Sequence, residues 1–160
     1  MAEIINGRQT AALDDDVVVF IIGMRINRLR RVRSWLPAFR AMPRMLRELG
    51  ADPDLGLLRV QSFWAGRVLM GVQYWRSFEH LEAFARDKDD PHLEVWRNYW
   101  KRVGKSARTG IWHETFLVKA GQYEAIYGNM PPIGLGKAGR LVTLAEARSA
   151  RERIGAAVSG

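Results

Sequence analysis

Residues 17–24, VVVFIIGM, are apolar without interruption, and this run limits the fold more than any other feature of the chain. Three valines and two isoleucines favour extended backbone, and the run is far short of the roughly 20 residues that a membrane-spanning helix needs. In a strand, side chains alternate between faces. Val17, Val19 and Ile21 then share one face, and Val18, Phe20, Ile22 and Met24 the other. Residues 67–75, RVLMGVQYW, behave the same way, with Val68, Met70, Val72 and Tyr74 opposed to Leu69, Gly71, Gln73 and Trp75. An antiparallel sheet with one face in water alternates apolar with polar, and these strands do not. Both faces therefore need a cover. Helices supply one, and a second copy of the chain is the economical source of the other, which predicts a homodimer with its sheets face to face around a cavity.

The remaining pattern supplies the helices. The Arg-rich segment from Asn27 to Leu49 reads as an amphipathic helix or helix pair, N-capped by Asn27, stopped at Gly50 and broken or bent at Pro37 and Pro43. Residues 57–64 (LLRVQSFW) and 67–75 form a hairpin across Ala65-Gly66. Ser77 caps a helix over FEHLEAFARD, and HLEVWRNYWKRV forms another, with Leu93, Trp96, Trp100 and Val103 as its buried stripe. GIWHETFLV is the fourth strand and YEAIY (123–127) a short fifth. Beyond Pro131-Pro132 the chain is glycine-rich, and Thr143-Leu144-Ala145-Glu146 opens a last helix with a capping-box pattern. The order predicts an α+β fold of the ferredoxin-like βαββαβ plan with an antiparallel sheet. The expected organisation is a leader over 1–14, the α+β barrel domain over 15–130, and a Gly/Pro-rich segment with a C-terminal helix over 131–160.

At 160 residues one domain is enough to bury a real core. The net charge is +8 and the pI near 10.4, and Arg25, Arg28, Arg30, Arg31, Arg33, Arg40, Arg44 and Arg47 hold much of the surplus. Three readings compete for that basic surface: a solvated helix face, peripheral contact with an anionic membrane or partner, and nucleic acid, which no recognition signature supports. The absence of cysteine excludes disulfides, thiolate catalysis, thiolate-bound haem and iron–sulfur clusters. The N-terminus lacks the basic-then-apolar pattern of a secretory signal, so the expected location is cytoplasmic.

Chemistry-bearing residues are few. Of three histidines, His80 and His92 fall at helix starts and read as surface or capping groups. His113, in GIWHETF, lies within a strand that the pattern buries. It shares a face with Ile111 and Thr115, while Trp112, Glu114 and Phe116 face the other way, so a direct dyad between His113 and its neighbour Glu114 is not expected. His113 is either a hydrogen-bonded core side chain or a proton shuttle or ligand. No pair of histidines has zinc-ligand spacing, whereas one proximal histidine suffices for haem. GLGKAG (134–139) matches the dinucleotide-binding string, but Pro131-Pro132 stand where the strand should be and the next helix starts near Leu144, so it reads as a loop. The candidate catalytic residues are His113, Glu114, Gln73 and Tyr127. His113 is also the candidate haem ligand, and a metal is expected only as haem iron.

FIIGMRIN (20–27), WLPAFRAMPRMLREL (35–49), VQYWRSFEHLEAFARD (72–87), GIWHETF (110–116) and YEAIYGNMPPIGLGKAG (123–139) resemble a bacterial and fungal monooxygenase-like family of unknown function, related to the antibiotic-biosynthesis monooxygenases. The resemblance covers about residues 8–139. It implies a dimeric α+β barrel and a place in secondary metabolism. The same superfamily holds cofactor-free oxygenases, haem-dependent aldoxime dehydratases, haem-degrading enzymes and chlorite dismutase-like proteins. The family motif brings no established catalytic residue with it. The expectation is a monooxygenase-type oxidoreductase acting on a small hydrophobic metabolite, either without a cofactor or with haem held by His113. The alternatives are a haem-dependent dehydratase of the aldoxime type and a non-catalytic small-molecule-binding dimer with a basic surface.

Overall fold

The computed structural model of the protein describes residues 3–86, 101, 107–144 and 149–154. After strand β1 (Ile5–Ala12) come β2 (Val17–Ile26), helix α1 (Val32–Ala51), β3 (Leu57–Ala65), β4 (Val68–Trp75), helix α2 (Phe78–Arg86) and β5 (Thr109–Val118). Strands β2 to β5 form one antiparallel sheet in the order β3-β4-β2-β5. With α1 and α2 between them they make the ferredoxin-like βαββαβ unit that the alternation predicts, the repeat of the dimeric α+β barrel type. The helix expected over 92–103 lies outside the described residues apart from Lys101. No helix among the described residues is long and apolar enough to cross a membrane.

Register fixes the two faces. Val18 pairs with Trp75 on β4 and Leu117 on β5, so Val18, Phe20, Ile22 and Met24 share a face with Trp75, Gln73, Gly71 and Leu69. Both helices lie on this side: Val18, Trp75, Leu49 of α1 and Leu81 of α2 form the buried core, with Phe20, Leu55, Leu57 and Phe84 packed around it. Trp75 is fully buried and its ring lies 5.4 Å from that of Phe84. Removing such a side chain from water is worth on the order of 5 kcal/mol gross, so this corner anchors the helices to the sheet.

Other local expectations shift for identifiable reasons. Ala65 still belongs to β3, paired with Val68, and the turn is Gly66-Arg67 with Gly66 at φ +58°, a backbone that suits glycine at the first position of a hairpin turn. Asn27 caps no helix. Its side-chain amide donates to the Ala107 carbonyl at 3.0 Å, and α1 begins only after the turn at Arg28–Arg31. The helix runs on through Pro37; Arg33 and Pro37 are both exposed, so water serves the Arg33 carbonyl that loses its intrahelical donor. Ser77 does cap α2, its Oγ accepting from the His80 N–H at 3.4 Å and lying 2.9 Å from His80 Nδ1.

A second sheet joins the two ends of the chain. Strand β6 (Tyr127–Met130) precedes a single helical turn, α3 (Leu135–Ala138), then β7 (Arg140–Thr143) and a short helix α4 (Ala150–Arg153). The strands lie in the order β6-β1-β7, all antiparallel, so Ile5–Ala12 pairs with the C-terminal region. Part of the opening of the last helix, residues 145–148, lies outside the described residues. The short strand begins at Tyr127 and not at Tyr123, whose hydroxyl accepts from the Leu13 N–H at 2.8 Å and donates to the Ala11 carbonyl at 3.3 Å.

Candidate active site

On the helix side of the sheet, Phe20 stands between Gln73 and Thr115, and Ile22 between Gly71 and His113. The imidazole of His113 is 5.6 Å from the Phe20 ring. It is exposed, where the sequence pattern expects burial, because α1 and α2 pack over the β3 and β4 side while β5 is an edge strand. Among the described residues His113 makes no hydrogen bond, so both ring nitrogens are available. Ser62 and Gly71 continue its row across the sheet with little side-chain bulk. The row therefore has an apolar centre, Phe20 and Ile22, and a basic group at its β5 end.

Gln73 shares this face but is only 3% exposed. Its Oε1 accepts from Trp75 Nε1 at 2.9 Å, the bond that satisfies the indole N–H in the core. That is a structural engagement, and it leaves His113 as the accessible member of the pair.

Glu114 and Tyr127 lie on the other side. Glu114 is exposed on the face shared by Ile21, Val72 and Gln61, three strand spacings from Gln61, about 14 Å. Tyr127 reaches the β3 end of that face through the 131–138 segment: its hydroxyl accepts from the Gly136 N–H at 3.0 Å, and the Gly134 N–H donates to Gln61 Oε1 at 2.8 Å. A Cβ at Gly134 would stand 3.2 Å from the Tyr74 hydroxyl and 3.8 Å from that of Tyr127. Burial, and then the neighbouring Tyr127, push the Tyr74 hydroxyl above its ordinary pKa of 10.0. Burial also raises Tyr127, with the Gly136 N–H acting in the opposite sense. Part of the second apolar face is thus covered by the chain itself, while Phe63 and Phe116 on that face remain 42% and 48% exposed.

The four candidates therefore divide between two faces, with His113 and Gln73 on the face that carries the helices and Glu114 and Tyr127 opposite. Gly134 and Gly136 were visible only as part of a glycine-rich string. GLGKAG is an ordered element: Gly134 has φ +58°, and Gly136 is buried where a side chain would overlap Leu141. With a helix of only four residues, and with Pro131-Pro132-Ile133 between β6 and the string, it has no dinucleotide-binding geometry. His80 is bonded to Ser77, and His92 lies outside the described residues. Among the described residues no group of three or more His, Asp or Glu could hold a metal ion.

This fold is shared with two solved aldoxime dehydratases, one in complex with butyraldoxime. Their TM-scores are 0.62 and 0.63 at 17% and 19% identity; the match covers 82% and 87% of this chain but 41% and 43% of theirs. Residues 17–135 match the family described as Monooxygenase af470-like, and the chain belongs to that family. It is 30% identical over 159 residues to monooxygenase af470 of Aspergillus fumigatus, a match that takes in 86% of this chain. The chain spans 56% of that relative's length.

Proposed function

We propose that the protein is a monooxygenase-type oxidoreductase that acts on a small hydrophobic, aromatic or polyketide-like metabolite in secondary metabolism, with His113 as its base. The observation that carries this reading is the exposed imidazole of His113, without a hydrogen bond among the described residues and beside the apolar Phe20 and Ile22, in a chain that belongs to a monooxygenase-like family. Imidazole is the side chain best matched to proton transfer near neutral pH, and an apolar floor disfavours water around a flat substrate.

The cofactor-free reaction balances on the substrate alone. His113 takes a proton from an acidic methylene, and the carbanion passes electrons to molecular oxygen as the new C–O bond forms. The resulting peroxide takes up a proton, and loss of water leaves a ketone. One oxygen atom enters the product and the other leaves as water, with the methylene as the only reductant. General-base catalysis of this kind contributes about 100- to 10,000-fold.

Haem would supply one-electron and oxygen chemistry where it is the cofactor, and His113 would hold it. The ring nitrogens of His113 carry no hydrogen bond among the described residues, and Phe20 and Ile22 would offer an apolar contact surface. An absorption spectrum after haem-supplemented expression, recorded beside His113→Ala, separates the two forms. A colourless wild type that takes up no added haem supports the cofactor-free form, and a Soret band lost in the variant supports the haem form. On the opposite face, Phe63 and Phe116 are the surface that a second copy of the chain would cover in the homodimer we propose; light scattering in solution measures its mass.

A further inference from the structure

The four-stranded sheet carries opposite charges at its two ends. Asp16, Asp52, Asp54 and Glu79 flank the end where β2 and β3 begin and β4 and β5 finish. The other end, where β2 leads into α1 and the hairpin turns from β3 into β4, carries Arg25, Arg28, Arg30, Arg31, Arg33 and Arg67, all exposed. No acidic residue lies between Asp16 and Glu48 or between Asp54 and Glu79, and the ion pairs among the described residues, Arg86–Glu82, Lys119–Asp16 and Arg140–Asp14, include none of these arginines. Apolar side chains stand among them: Leu29, Val32 and Trp64 are 46%, 44% and 56% exposed. Contacts join these into one patch. The indole N–H of Trp35 donates to the Leu29 carbonyl at 3.1 Å, the Trp35 ring meets Phe39 at 6.2 Å, and Phe39 meets Trp64 at 5.1 Å. The patch is also fixed to the sheet, with the Ile26 N–H donating to the Arg67 carbonyl at 2.8 Å and the Asn27 and Arg28 N–H groups to the Arg108 carbonyl at 2.9 and 3.1 Å. Trp64 lies on the helix side and Phe63 on the other, so the homodimer surface leaves it open.

We propose that this end of the protein docks peripherally on an anionic lipid surface, with Leu29, Val32 and Trp64 entering the interface and the surrounding arginines meeting the headgroup phosphates. Charge complementarity selects an anionic partner, since the arginines have no acidic neighbour at this end. The apolar groups select lipid over nucleic acid. Exposed aliphatic side chains gain by leaving water, and a sugar–phosphate backbone gives them nothing to pack against, whereas apolar groups ringed by arginine match a membrane interface in both polarity and charge. Trp64 already donates its indole N–H to the Gly66 carbonyl at 2.7 Å, so the ring enters the interface without stranding a donor, and indoles favour that depth. The first turn of α1 has no acidic residue, so positive charge collects where the helix dipole disfavours it, and an anionic surface offsets that cost. The docking end does not include His113, so this inference stands apart from the oxygenase reading.

Sedimentation of the full chain with vesicles of phosphatidylcholine, alone or with about 30% phosphatidylglycerol, tests this. The chain binds the anionic vesicles and not the neutral ones, and about 0.5 M salt releases it. Replacing Arg28, Arg30 and Arg31 together by Gln weakens binding about 100-fold, at about fivefold for each arginine. A control that removes the same charge from β1, α3 and α4, with Arg8, Lys137 and Arg151 replaced by Gln, weakens it by less than about fivefold, which separates a docking surface from the general attraction of a basic protein. Leu29→Ser with Trp64→Ser, which removes no charge, weakens binding about 10-fold or more. Absence of binding to the anionic vesicles, equal losses in the two triple variants, or unaltered binding in the folded Leu29→Ser, Trp64→Ser variant overturns the proposal. Tighter binding of a DNA duplex that survives the Leu29 and Trp64 substitutions also overturns it and assigns this end to nucleic acid.

Discussion

The indole of Trp112 occupies the space that Gly23 leaves by having no side chain, and a Cβ at Gly23 would overlap its ring. The two residues are cross-strand partners on β5 and β2, so glycine in the middle of an otherwise apolar strand lets the edge strand's largest side chain lie flat on the sheet. Gly23→Ala forces the indole off the sheet and lowers stability by about 1–3 kcal/mol. Urea denaturation measures the loss, and Trp112→Ala in the same background relieves the overlap.

Gln73 acts through the core. With Trp75 Nε1 bonded to its side chain and both residues buried, Gln73→Leu strands an indole N–H and costs about 1–3 kcal/mol. Turnover per folded molecule stays near the wild-type value. A large loss of activity in a variant of native stability would show instead that Gln73 touches the substrate.

Gly134 holds the 131–138 segment over Tyr74 and Gln61 with φ +58° and ψ −134°, a backbone that only glycine adopts without strain. Gly134→Ala costs about 1–3 kcal/mol, and its Cβ crowds the Tyr74 hydroxyl. Hydrogen exchange detects the change as loss of protection at the Gly134 and Gly136 amides, while the β2–β4 ladder stays protected.

Tyr74 and Tyr127 set an alkaline limit on stability. Both have pKa values raised in the folded chain, so their neutral forms favour the native state. That contribution is complete below the unfolded value near 10 and is lost as pH rises from there through the folded values. Stability therefore falls above about pH 10, and phenolate absorbance of these two tyrosines appears at higher pH than in the denatured chain. Tyr127→Phe flattens the alkaline limb.

Strand parity was legible in the alternation: the two-sided apolar pattern of Val17–Met24 and Val68–Trp75 sorts these side chains between the two faces as the structure does, because parity is a local property, whereas the register between the strands is a tertiary one. The pairing of β1 with β6 and β7 was not legible: Asn6, Arg8 and Gln9 give Ile5–Ala12 no clear alternation, and its partners lie more than a hundred residues away. Separation in the chain also hid the contact of Gly134 with Gln61, 73 residues apart. His113 and Glu114 were correctly set on opposite faces, yet which face the helices cover is a tertiary outcome, decided by where Leu49 and Leu81 meet Trp75.

The most direct test of the central claim is oxygen uptake with anthrone, a carbon acid whose methylene meets the chemistry proposed, by the wild type and by His113→Ala of equal thermal stability. The wild type consumes one oxygen molecule for each methylene converted to a ketone, and the variant is slower by about 100-fold or more. Uptake by the variant at the wild-type rate would contradict the account and take the chemistry away from His113.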